Sequence, residues 1–160
     1  MALRAASLLL GLLLAACGQQ AEPGGLTGEP AEGGPLTIQL RSGEEEPTAV
    51  LSYGGAEQAG SLGTHCWATQ CVDFVAPPTP QAFTPVPANA EIEFGGDGTA
   101  ESLSVGRPTE DPLAPPADLQ EVRIRNGRAQ LELEPGRYVL VLFGLWEDGD
   151  AIFTFGVEAA

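Results

Sequence analysis

Asn126-Gly127 stands between two stretches that alternate apolar and polar residues, Val122-Arg123-Ile124-Arg125 and Arg128-Ala129-Gln130-Leu131. A two-residue type I′ turn needs positive φ at both central positions, and Asn followed by Gly meets that need well. The turn sets a register in which Arg125 faces Arg128, Ile124 faces Ala129, Arg123 faces Gln130 and Val122 faces Leu131. Directly opposed residues share a face of the hairpin. One face then carries Val122, Ile124, Ala129, Leu131 and Leu133. The other carries Glu121, Arg123, Arg125, Arg128, Gln130 and Glu132. Turn chemistry and alternation agree independently, so this part of the chain is expected to be antiparallel β-structure.

The same period of two recurs elsewhere. Leu36 to Leu40, Thr48 to Tyr53 and Ala90 to Phe94 read as strands, with a shorter one at Ser102 to Val105. Ser42 to Pro47 reads as a turn with Glu44, Glu45 and Glu46 at its tip. Gly54, Gly55 and Gly60 are read as breaks. Pro77, Pro78, Pro80, Pro85 and Pro87 lack ladder donors, so that stretch is an extended connection or a sheet edge. Pro108 to Pro116 is read as a loop. Val139 to Trp146 is apolar on both faces and is expected to be a central strand, with Ala151 to Val157 returning beside it after an acidic turn. Seven or eight short strands of this kind predict an all-β, antiparallel, immunoglobulin-like sandwich. Pro135-Gly136-Arg137-Tyr138 resembles the corner of such sandwiches, where a tyrosine hydroxyl ties back to nearby backbone.

The front of the chain is of a different kind. Arg4 precedes the apolar run Leu8 to Leu14, which is too short to span a bilayer but fits a signal peptide. Leu14-Ala15-Ala16-Cys17 resembles the lipobox of bacterial lipoproteins. The resemblance implies cleavage before Cys17 and attachment of a diacylglycerol to its sulfur, and two acyl chains anchor stably where one is marginal. Residues 1–16 are then signal peptide, residues 17–35 a lipid-anchored flexible linker rich in Gly, Pro, Glu and Gln, and residues 36–160 the β-sandwich domain. A domain of roughly 120 residues can bury a sufficient core. Losing residues 1–16 removes one of seven Lys and Arg residues and none of the 22 Asp and Glu residues, moving the net charge from −15 to −16. There is no lysine. Such a chain repels phosphate backbones, so nucleic-acid binding is not expected, and it has no polybasic patch to hold it on a membrane.

Cys66 and Cys71 remain once Cys17 is lipidated, and in an oxidising compartment a disulfide is the natural reading. Two alternatives are a thiol redox pair and a metal site built from His65, Cys66, Cys71 and Asp73. The four-residue gap is wider than redox motifs use, and Zn sites usually show closer paired ligands. Gly63-Thr64-His65-Cys66-Trp67 through Cys71-Val72-Asp73-Phe74, with Pro135-Gly136-Arg137-Tyr138 and Gly149-Asp150-Ala151, also resembles a pattern in extracytoplasmic bacterial domains. That resemblance implies a fold over about 100 residues and no activity.

Trp67 and Trp146 are candidate binding residues, because aromatic rings make rigid contact platforms; the alternative for both is packing. His65 is the only histidine and the one candidate general base near neutral pH, yet no serine stands in a nucleophile-elbow context. Asp97, Asp148 and Asp150 are possible Ca²⁺ ligands, but none matches an EF-hand loop, and turns also require Asp. No catalytic residue, resident metal or cofactor is expected. The sequence thus reads as a non-catalytic binding or structural module anchored by Cys17 to the extracytoplasmic face of a cell membrane or outer membrane. Its partner would be an envelope protein or polymer. The rival readings are a small hydrolase using His65 with nearby acids, and a thiol or metal handling lipoprotein.

Overall fold

The computed structural model describes residues 33–74, 76–111 and 114–160. Cys17 and residues 1–16 lie outside them, as does most of the linker. Among the described residues thirteen strands follow one another, in place of the seven or eight expected. They are β1 (Leu36–Arg41), β2 (Thr48–Tyr53), β3 (Ala56–Ala59), β4 (Ser61–Trp67), β5 (Gln70–Val72) and β6 (Phe83–Val86) in the first half. The second half holds β7 (Asn89–Gly96), β8 (Thr99–Arg107), β9 (Ala117–Val122), β10 (Ile124–Arg125), β11 (Arg128–Glu132), β12 (Gly136–Trp146) and β13 (Gly149–Ala159). The count rose in part because two of the glycines read as breaks form a hairpin turn, and in part because β5 and β6 form beside the disulfide and within the proline-rich stretch. Gly54 and Gly55 both have positive φ, 58° and 83°, and join β2 to β3 with Tyr53 opposite Ala56.

Two sheets face each other. One has the order β10-β11-β7-β1-β2-β3, the other β5-β4-β13-β12-β8-β9, with β6 also paired to β13. All pairings are antiparallel except β1 with β7 and β6 with β13. The core lies between the sheets. Ile38, Leu40, Leu51, Ile92 and Leu131 enter it from one side, and Leu140, Leu142, Phe153 and Phe155 from the other, all essentially removed from water. Burial of each such side chain contributes about 1.5–3 kcal/mol.

β12 is the central strand its composition predicts, between β13 and β8. Its second apolar face is explained by the proline-rich segments, which lie over the outside of this sheet. Pro77, Pro78 and Pro80 meet Pro108 and Pro116 above Val139, and the buried Thr154 hydroxyl donates to the Pro78 carbonyl. Pro85 sits in β6, an edge strand where its missing N–H costs nothing in the ladder interior. The tyrosine corner is also present: the Tyr138 hydroxyl donates to the Glu134 carbonyl at 3.0 Å.

The Asn126-Gly127 turn forms as its chemistry requires, with φ of 52° and 71°. The expected ladder does not run its full length. Only Ile124–Ala129 and Arg125–Arg128 pair; Gln130 and Leu131 pair with β7, and Val122 pairs with Leu103 of β8 in the other sheet. The chain changes sheets at Arg123. Both inner faces point to the same core, so Val122 and Ile124 still pack inward on either side of the crossing. The alternation therefore survives a break in pairing that it cannot report.

Candidate functional site

β1 ends at Arg41, and the acidic loop that follows overhangs the β4–β5 hairpin. Between loop and hairpin lies a cleft of about 370 Å³ lined by Glu44, Glu45, Glu46, His65, Trp67 and Val72. The hairpin is tied at its base. Cys66 and Cys71 are direct cross-strand partners and form a disulfide. At its tip, the Ala68 N–H donates to the Asp148 carbonyl at 2.9 Å, which docks the hairpin on the β12–β13 turn.

Alternation along β4 sends Gly63, His65 and Trp67 inward and leaves the cysteines between them. His65 is only 6% exposed. Its Nδ1 lies 2.9 Å from the Gly63 carbonyl. A carbonyl only accepts, so Nδ1 carries the proton and donates. The Nε2 of His65 lies 3.9 Å from a Glu46 carboxylate oxygen at the cleft wall. Gly63 and Glu46 are the partners His65 has among the described residues, and no serine hydroxyl is hydrogen-bonded to it.

The metal set proposed from His65, Cys66, Cys71 and Asp73 is not assembled, because both thiols are spent in the disulfide. Among the described residues no group of three or more His, Cys, Asp and Glu side chains converges as a metal site would require. Asp97 is likewise occupied by protein donors. Its Oδ1 accepts from the Ser42 backbone N–H at 2.8 Å and from Trp146 Nε1 at 3.2 Å, and its Oδ2 accepts from Ser42 Oγ at 2.7 Å. It is a brace between the β7–β8 turn and the start of the acidic loop.

The tryptophans are placed under the site rather than on it. Trp67 is 6% and Trp146 7% exposed. Their rings meet edge to face at 5.5 Å, and Trp146 meets Phe153 the same way at 6.2 Å. Both rings thus form a packed floor, one of the two readings the sequence left open. The packing alternative wins because alternation in β4 and β12 turns both rings toward the core. A chain of contacts runs from the disulfide hairpin through Trp67, Trp146 and Asp97 to Ser42, fixing one wall of the cleft against the other.

Sequence reasoning missed the apolar rim. Val72 lines the cleft and is 40% exposed; Phe74, outside the lining, is 47% exposed, and its N–H is held by Thr64 Oγ1 at 3.0 Å. Two large apolar residues at i and i+2 beside an edge strand were a signal that could have been read. The meeting of Glu46 with His65 had none, since they come from separate strands' ends.

The Asp97 carboxyl is held below its ordinary value near 3.8 chiefly by the Ser42 side-chain hydrogen bond, with desolvation opposing it and the Ser42 and Trp146 N–H groups adding to it. A depressed folded-state value gives stability that is complete above the unfolded value and lost as pH falls through the folded one. Asp97→Asn is therefore expected to narrow the gap in urea midpoint between neutral pH and about pH 3. An unchanged gap would show that Asp97 takes up no proton differentially on unfolding.

No protein-family model, no curated protein and no solved structure matches this chain.

Proposed function

We propose that this chain is a non-catalytic binding or structural module of the cell envelope. It is held by acyl chains on Cys17 at the extracytoplasmic face of a cell membrane or outer membrane. Its recognition surface is the cleft between the acidic loop and the disulfide hairpin. The partner it fits is an envelope protein or polymer that presents a cationic group beside apolar surface.

One observation carries this reading. Three exposed glutamates, the buried His65 and the exposed Val72 line one cleft over a floor made rigid by the disulfide and the tryptophan pair. Carboxylates on one wall favour positive charge, and the apolar rim favours a ligand that is not charge alone. The site also lies at the end of β1 away from Leu36, where the linker joins. Rigid walls keep the ordering cost of binding low.

The test is photo-crosslinking on intact cells with the probe at Val72, because Trp67 is buried and would report on the protein's own core. The expected result is a discrete neighbour that is captured at Val72 but not at the exposed Leu119, and lost when Glu44, Glu45 and Glu46 are all changed to Gln. Capture that ignores the glutamates, or equals that at Leu119, would remove the cleft from consideration.

A further inference from the structure

The acidic character of the chain has one local reversal. Arg123, Arg125 and Arg128 place three of the seven Lys and Arg residues within six positions. Arg125 and Arg128 are direct cross-strand partners, an arrangement in which like charges repel. Arg128 is neutralised by Glu93 at 2.6 Å and Glu91 at 3.2 Å. Arg123 and Arg125 are exposed and have no ion pair or side-chain hydrogen bond among the described residues, in a chain with 22 acidic residues to offer.

The change of sheet explains how these side chains come to flank a concavity. Had the hairpin continued, Arg123 would pair with Gln130 and close the space beside β11. Instead the chain departs at Arg123 and leaves a groove of about 530 Å³, lined by Arg123, Arg125, Asn126, Arg128, Gln130 and Glu91. Asn126 adds a neutral donor beside the guanidinium groups, while the Gln130 amide is engaged by the Ala90 and Leu131 carbonyls. Glu91, the acidic member, is already engaged by Arg128. The hairpin is held in place, since the Phe94 N–H donates to the Gly127 carbonyl at 2.8 Å.

We propose that this groove is an oxyanion site, in which Arg123 and Arg125 clasp a phosphate or carboxylate group of a ligand. Guanidinium groups match such oxygens in pairs and give up hydration more readily than ammonium groups do. The overall negative charge does not forbid it, because salt screens the remote carboxylates beyond about 8 Å while the two arginines act at contact. The site is separate from the acidic cleft, and its ligand is of opposite charge, so the two stand or fall independently.

The test is titration of the purified full chain, in non-ionic detergent, with tripolyphosphate and in parallel with citrate, followed by calorimetry. Saturable, salt-sensitive binding of one or both is expected. It should weaken at least tenfold in the double variant R123A/R125A and stay unchanged in R137A, whose arginine pairs with Glu158 elsewhere. The tighter probe names the group as phosphate or carboxylate. Both substituted residues are exposed, so an unchanged thermal midpoint confirms that folding is intact. The absence of saturable binding by either probe, or equal affinity in R123A/R125A, would overturn the assignment.

Discussion

Trp146→Ala is expected to lower the unfolding free energy by about 3–5 kcal/mol, the range for deleting a buried aromatic side chain. Trp146 is the centre of the contact chain beneath the cleft: its ring meets Trp67 and Phe153, and its N–H donates to Asp97. Alanine would leave a cavity that Gly98 and Gly144 cannot fill, since both lie against the indole and have no side chains to move in. Because a domain of this kind has roughly 5–15 kcal/mol in total, much of the margin would go. Trp146→Phe keeps a ring and loses the N–H, so its cost should be clearly smaller. Leu145→Ala, one position away but exposed, should change stability by less than about 0.5 kcal/mol. Urea unfolding of the three variants checks the order. Similar midpoints for Trp146→Ala and Leu145→Ala would show that the aromatic cluster does not hold this end of the sandwich.

Cys17→Ala is expected to move the protein from the membrane fraction to the soluble fraction almost completely. On the proposed reading the lipid is the only attachment. Each buried methylene of an acyl chain is worth about 0.8 kcal/mol, so two chains give stable anchoring and their loss leaves none. There is no electrostatic reserve, since the chain has no lysine and a strong negative charge that anionic head groups repel. Cell fractionation with mass measurement of the N-terminal peptide reads the result. A variant that stays with the membrane would mean that something other than a lipid on Cys17 holds it there.

What could be read in the sequence was what short-range chemistry decides. The Asn126-Gly127 turn, the tyrosine corner at Tyr138 and the central position of β12 each rest on a few adjacent residues, and each is present. The disulfide was legible from the two cysteines that remain once Cys17 is assigned to a lipid. The departure at Arg123 was not, because alternation looks the same whether a strand stays in one sheet or crosses to the other. The role of the tryptophans was undecidable from the chain alone, since a ring is equally suited to a platform and a floor until burial is known. The cleft was harder still. Its acids were read as the tip of a turn and His65 as the one candidate base, and only the fold brings Glu46 to His65.

The stretch Ala117–Arg125 pairs four residues, Ala117, Gln120, Glu121 and Val122, with β8 in one layer and its last two with β11 in the other. Neither layer can peel away without pulling on a strand that belongs to both. Partial opening of a single sheet would have to tear this stretch out of register, so the sandwich should melt in one concerted step. Slowly exchanging amides in β11 and β8 should then lose protection together, with the same dependence on denaturant.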